Sequence, residues 1–328
     1  MSRIYAAIAG TGHYAPAARM SNDDVAMLVD TSDDWIRERT GIRARHVAAP
    51  GERNSDMGIA AAKMAVANAG IDPSDIDAIF YATCSGDMVF PATACFVQHA
   101  IGATRAYGYD ISSACTGFLM ALDTATAAIE SGRIQTALVI GAEKLSAFTD
   151  WSDRNTCVLF GDGAGAAVLR ASDTPGVLSS LLGVDGAQAD ILSIPSSGSL
   201  RPPSEATIRS HQIYIHMAGR ETFKTAVNTM VNAARNAVAK AGLSLDDIDC
   251  MIPHQANMRI VEAVAKRLGP GVLERAFLNL DEYGNTSAAS IPLALSEAVQ
   301  SGRVKRGDKI LMVAFGGGLS WGGAVVQL

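Results

Sequence analysis

Short unbroken apolar runs recur along this chain, at 78–82, 137–140, 250–253 and 310–313. Bounded by turn residues, such runs predict strands buried on both faces. Helix-length stretches rich in Ala, Leu and Met lie between them, 116–129 being the most apolar. Regular alternation of the two predicts an α/β protein whose sheets are covered by helices. Residues 106–111 alternate Tyr with small residues and predict a further strand. The opening ten residues hold only a short apolar run and predict a strand ending at Gly10, not a secretion signal. Residues 193–215 show no period, contain Ser-Ser-Gly-Ser-Leu-Arg-Pro-Pro and predict a long loop, either functional or surface decoration.

The pattern repeats once. Residues 65–77 (AVANAGIDPSDID) reappear 172 positions later as 237–249 (AVAKAGLSLDDID). Each copy reads as a helix, a Gly stop, an Asp-rich turn and a buried strand. Ser-Gly-Arg at 131–133 recurs at 301–303, an offset of 170, and again a buried strand follows. Two matches in the same order at nearly one offset predict a duplicated unit, with one half at 1–172 and the other at 173–328. Two copies are too few for a solenoid.

Composition narrows the function. The 328 residues are 48% hydrophobic and 18% charged, with a net charge of −6, which argues against nucleic acid as a partner. Any anionic partner must meet a local basic patch. Five cysteines stand at 84, 95, 115, 157 and 250 with no CxxC pair. That predicts free thiols in a reducing, cytoplasmic setting and no metal site. No apolar run reaches the roughly 18 residues that would predict a membrane span.

The segment 111–118, Ile-Ser-Ser-Ala-Cys-Thr-Gly-Phe, places Cys115 where a strand gives way to a helix. A thiol at a helix start meets unpaired N–H groups and the positive end of the dipole, which favours thiolate. Taken alone, Cys115 reads first as a buried structural thiol. The repeat shifts that reading. An offset of 172 carries His254 onto Ala82, at the end of the matching strand, and Cys115 onto a position just past Asn285. Cys115, His254 and Asn285 thus share strand-end or helix-start positions, which converge in open α/β sheets.

Six segments in order then carry a specific resemblance. They are Asp-Trp-Ile-Arg-Glu-Arg-Thr-Gly-Ile-Arg at 34–43, Ser-Ala-Cys-Thr-Gly-Phe at 113–118 and Phe-Gly-Asp-Gly-Ala-Gly-Ala-Ala-Val at 160–168. Pro-His-Gln-Ala-Asn at 253–257, Tyr-Gly-Asn-Thr-Ser at 283–287 and Phe-Gly-Gly-Gly-Leu-Ser-Trp-Gly at 315–322 complete the set. From end to end the chain resembles the 3-oxoacyl-[acyl-carrier-protein] synthase III family, initiating condensing enzymes of bacterial fatty acid synthesis. The resemblance implies a duplicated thiolase fold, two pseudo-twofold α/β halves in a five-layered αβαβα core. It implies a homodimer that uses no metal or flavin and takes a CoA thioester as substrate.

By that resemblance Cys115 is the nucleophile, and His254 and Asn285 are neutral donors to the enolate formed when malonyl-acyl carrier protein loses carbon dioxide. The Cys115 and Gly317 amides form the oxyanion hole. Trp35, Arg39, Arg154, Ala256 and Asn257 hold CoA and its pantetheine arm. Lys224, Arg259, Lys266 and Arg267 receive the acidic carrier protein. Phe90 caps the partner's acyl pocket, and its bulk favours a short primer such as acetyl. The elongating relatives carry a second His where Asn285 stands. Thiolases use a second Cys in the terminal glycine loop, and no Cys lies beyond 250. Hydroxymethylglutaryl-CoA synthases place a Glu near 82–85, where this chain reads Ala-Thr-Cys-Ser. A secondary-metabolism sibling with the same trio, and a silent acyl-binding module, are the remaining alternatives.

Overall fold

A computed structural model describes residues 3–328. In the first half, strands Tyr5–Tyr14 (β1), Ala78–Ala82 (β2), Tyr107–Ile111 (β3), Thr136–Lys144 (β4) and Asp162–Ser172 (β5) form one sheet in the order β1-β5-β4-β2-β3. In the second, Val177–Val184 (β6), Cys250–Pro253 (β7), Lys309–Gly316 (β8) and Ser320–Gln327 (β9) form another, ordered β6-β9-β8-β7. The second order reproduces the first four strands of the first. The inner pairs β2/β4 and β7/β8 are parallel, and the others shared by the two sheets are antiparallel. The fifth strand survives in the second half as one parallel bridge, Met251 to Ala276.

The repeated Asp-rich turn explains why both copies fold alike. The Asp77 carboxylate accepts the N–H groups of Gln135 and Thr136, and Asp249 accepts that of Lys309. Each Asp therefore ties the start of its own strand to the start of the neighbouring parallel strand and fixes their register.

The seven longer helices are Asp33–Thr40 (α1), Asn54–Ala69 (α2), Thr93–Ile101 (α3), Gly117–Glu130 (α4), Gly219–Lys240 (α5), Met258–Leu268 (α6) and Ser290–Gln300 (α7). Helices α4 and α7 lie between the sheets, α2 and α3 cover the outer face of the first, and α5 and α6 cover the outer face of the second. This is the expected αβαβα stack. The core follows it: one apolar cluster fills the space between the sheets around Phe118, Leu122, Ile291 and Leu295, and a cluster lies under each outer helix pair.

Two details differ from the sequence expectation. β1 does not stop at Gly10 but runs on to Tyr14 through a bulge between Ile8 and Gly10. The glycines there are close-approach residues: a Cβ on Gly10 would lie 2.4 Å from the Ala69 nitrogen, and one on Gly12 would lie 2.3 Å from the Ala61 carbonyl oxygen. Residues 193–215 are not loop throughout. They hold a short helix, Glu205–Arg209, where Ser204 and Thr207 form a reciprocal capping box.

Candidate active site

The two central helices begin at twin turns. Ala114 and Ser287 are 173 residues apart, and each takes a positive φ, 43° and 48°, which is uncommon away from glycine. Each sits in a 3-10 turn, Ala114–Thr116 or Ser287–Ala289, that leads straight into α4 or α7. The turns touch each other between the sheets. Cys115 lies in the first, beside N–H groups left without intrahelical acceptors.

Cys115, His254 and Asn285, far apart in sequence, line one cavity. Cys115 also borders a second, wider lobe, so it stands at the junction of two. The narrow lobe, about 120 Å³, is lined by Met217, Phe223, Ala256, Asn257 and Phe315 among others. The wide lobe, about 390 Å³, is lined by Cys84, Leu145, Ile194, Ile215, Ser287 and Gly317 among others. Cys115 is 7% exposed. A side chain at Gly316 would sit 2.8 Å from the Cys115 nitrogen, so the glycine run packs directly on the nucleophile's backbone. Thr116 Oγ1 meets Ser320 Oγ at 2.7 Å, and Ser320 donates to the Gly317 carbonyl at 3.0 Å, which holds the run against the turn.

His254 follows the end of β7, its amide bonded to the Val313 carbonyl at 2.8 Å. Its Nδ1 is 2.6 Å from Ser290 Oγ. That oxygen accepts the Gln255 amide at 3.4 Å, so the Ser290 proton is free to go to Nδ1. In the tautomer in which Ser290 donates to Nδ1, the imidazole carries its own proton on Nε2, which is left to donate into the cavity. Asn285 is pinned through its backbone: its N–H reaches Leu159 O at 2.8 Å and its carbonyl receives Gly161 N–H at 3.0 Å. Its Oδ1 accepts the Ser287 amide at 2.9 Å, which leaves Nδ2 as a donor.

The electrostatics correct one expectation. Burial pushes the Cys115 thiol up to about 12, outweighing the helix start and the Ser287 hydroxyl that favour the thiolate. Burial also pushes His254 down to about 3. Both shifts run toward the uncharged forms, a thiol on Cys115 and a neutral imidazole on His254.

The remaining expected residues fall outside this pair of lobes, Ala256, Asn257 and Gly317 excepted. Arg39 and Arg154 flank Trp35, with guanidinium carbons 5.8 and 5.0 Å from the ring centroid. Asn257 caps α6 through the Arg259 amide and donates to the Arg39 carbonyl, linking that cluster to the narrow lobe. Lys224, Arg259, Lys266 and Arg267 are exposed on α5 and α6, and Arg267 is bonded to Asn228 at 2.5 Å. Phe90 is 82% exposed and lines neither lobe of its own chain.

Sequence reading missed Ser290 and Glu143. Glu143 is a fully buried acid at the end of β4, bonded to residues of both loops beside Cys115. Its signal was present: a charge closing an otherwise apolar strand run.

Comparison with known proteins agrees with this geometry. Models of 3-oxoacyl-[acyl-carrier-protein] synthase III match residues 109–186 and, for its C-terminal part, 238–328. A β-ketoacyl-[acyl-carrier-protein] synthase III of Roseiflexus castenholzii is 49% identical over 324 residues, 98% of each chain. The chain belongs to the 3-oxoacyl-[acyl-carrier-protein] synthase III family. Among solved structures, synthase III from Aquifex aeolicus VF5 is 45% identical with a TM-score of 0.91, covering 98% of this chain and 100% of its own. A priming β-ketosynthase of the R1128 polyketide pathway is 38% identical with a TM-score of 0.92, covering 100% and 97%. As a synthase III the protein is an acyltransferase, an initiating condensing enzyme with the thiolase fold.

Proposed function

We propose that this synthase III joins a short acyl-CoA, acetyl-CoA first, to malonyl-acyl carrier protein, releasing CoA, carbon dioxide and a 3-oxoacyl carrier protein. The observation that carries this reading is the meeting of Cys115, His254 and Asn285 on one cavity with the thiol at the junction of its lobes. The narrow lobe suits a pantetheine arm and the wide one an acyl group. Cys115 sulfur attacks the thioester carbon, and the oxyanion accepts hydrogen bonds from the Cys115 and Gly317 amides. CoA leaves and the acyl group stays on sulfur. Malonyl then arrives on its own pantetheine arm. As its carboxylate departs as carbon dioxide, the electron pair moves onto the thioester oxygen. His254 Nε2–H and Asn285 Nδ2–H stabilise that oxygen without changing charge. The enolate carbon attacks the acyl carbon, the bond to the Cys115 sulfur breaks with its electron pair, and the freed sulfur takes up a proton from solvent.

Trp35, with the Arg39 and Arg154 guanidinium groups close to its ring, offers a stacking surface for adenine, and the two arginines offer charge for the phosphates. The exposed cations Lys224, Arg259, Lys266 and Arg267 would receive an acidic carrier protein. A homodimer is the natural cover for the open edge of the first sheet. There β3 exposes Tyr107 and Tyr109 next to Met88, Val89 and Phe90. Phe90 would then reach the partner's wide lobe. No helix among the described residues is long and apolar enough to cross a membrane.

The test is intact-protein mass after incubation with acetyl-, butyryl- and octanoyl-CoA, with Cys115→Ser alongside, followed by malonyl-acyl carrier protein. The expected result is an adduct that needs Cys115 and is discharged as 3-oxoacyl carrier protein. An adduct that only another acceptor discharges supports a secondary-metabolism role, and no adduct at all overturns the reading.

A further inference from the structure

The neutral resting pair leaves a chemical question: which group takes the Cys115 proton when the sulfur attacks? His254 is poorly placed for it. Its Nδ1 lone pair faces Ser290, and its Nε2 already bears a proton. Proton transfer to it would also create two new charges in a buried site, against the direction of both shifts.

Glu143 offers another route. The Thr83 hydroxyl accepts N–H groups from Asn54 and Ser85, so its proton points to Glu143 at 3.2 Å. The Ser85 hydroxyl accepts the Lys144 amide and Asn54, so its proton also goes to Glu143. The Cys84 amide donates to both carboxylate oxygens, at 3.3 and 3.2 Å. Ser287 Oγ donates to Oε1 at 3.1 Å. The Cys84 thiol also donates to Oε1, at 3.3 Å, so every neighbour presents a proton and none requires one; these bonds favour the carboxylate and work against the burial that raises the carboxyl. Ser287 sits in the turn facing Cys115, and both line the wide lobe. With its proton directed to Glu143, the Ser287 oxygen keeps lone pairs that can accept from the Cys115 thiol, the group on which this same hydroxyl acts against burial.

We propose that Glu143 receives the Cys115 proton through Ser287 during acylation. The sulfur's proton passes to Ser287 Oγ as the Ser287 proton passes to Glu143 Oε1. The thiolate forms its bond to the thioester carbon, and the carbonyl pair moves to oxygen. When the intermediate collapses, the bond to the CoA sulfur breaks. That sulfur leaves with the pair and takes the proton back from Glu143 through Ser287. One negative charge moves across the buried site and none is added. The inference rests on the acyl-CoA reading above.

The test is single-turnover acylation by acetyl-CoA, quenched and read by intact mass from pH 6 to 10, for the wild type, Glu143→Gln and Ser287→Ala. The relay predicts that both variants acylate about 10²-fold more slowly at pH 7. It also predicts that the deficit narrows as hydroxide replaces the base, and that variants fully acylated by long incubation discharge to malonyl-acyl carrier protein at the wild-type rate. A Glu143 that only repels the thiolate gives the opposite sign, faster acylation in Glu143→Gln, and overturns the relay. So do variants that match the wild type, or that lose both half-reactions equally at every pH. Ser287→Ala removes the relay without touching the buried charge, and so decides the matter if Glu143→Gln does not fold. Failure of the wild type to acylate would instead sink the substrate assignment.

Discussion

Ser290→Ala isolates the proton position on His254. Ser290 is buried at the start of α7 and its hydroxyl is 2.6 Å from Nδ1. Alanine removes that donor with no steric demand. A buried acceptor left without its partner costs about 1–3 kcal/mol. Without Ser290 nothing holds the proton on Nε2, so the Nδ1–H tautomer becomes populated and takes the donor away from Nε2. The loss corresponds to roughly 5- to 150-fold in the step that uses Nε2–H, since 1.36 kcal/mol is a factor of ten. That step is decarboxylation, not acylation. The assay preloads Cys115 with acetyl and follows its discharge by malonyl-acyl carrier protein in stopped flow, with acylation timed separately. Discharge should fall by that factor, acylation should stay within about twofold of wild type, and Ser290→Thr should recover most of the loss. Equal slowing of both half-reactions, or unchanged discharge, refutes the assignment of the proton to Nε2.

Other consequences are open to simpler measurements. His254 is depressed by burial, so above about pH 6.5 it is neutral whether folded or unfolded. Below that value the unfolded chain gains a proton that the native one refuses. Stability to urea should then fall by about 1.4 kcal/mol per pH unit more in the wild type than in His254→Asn, down to near pH 3. Identical slopes would contradict this. Gly12→Val places a side chain against the α2 backbone and should cost about 3 kcal/mol or more in urea melts; a loss under 1 kcal/mol would show that β1 and α2 can separate freely. Arg259→Glu should raise the apparent KM for malonyl-acyl carrier protein and spare acylation by acyl-CoA, and equal damage to both would remove α6 from the docking face.

The duplication was readable because local signals enforce it. The Asp77 and Asp249 turns are specified within a few residues of the strands they register. His254 and Asn285 were findable because strand ends and helix starts converge in this architecture. Ser290 was not, and Glu143 showed only as a charge closing an apolar strand run, because their partners lie 36 and 144 residues away and no periodicity connects them. The protonation of Cys115 was misjudged for a related reason. A helix start can be seen in sequence, but the depth of burial that outweighs it depends on how the two halves close on each other. The run on past Gly10 was hidden because a glycine marks a turn in one setting and close helix contact in another.

The proposed use of the narrow lobe carries an order of events with it. If that lobe takes the pantetheine arm, its volume of about 120 Å³ beside Cys115 admits one arm at a time. The donor's arm must withdraw before the extender's arm can arrive, so the enzyme waits between two visitors with its cargo held on sulfur. Free CoA, the first product, competes for the same passage as the carrier protein's arm. On that reading throughput would fall as free CoA rises against acyl-CoA, because the two partners take turns at one door.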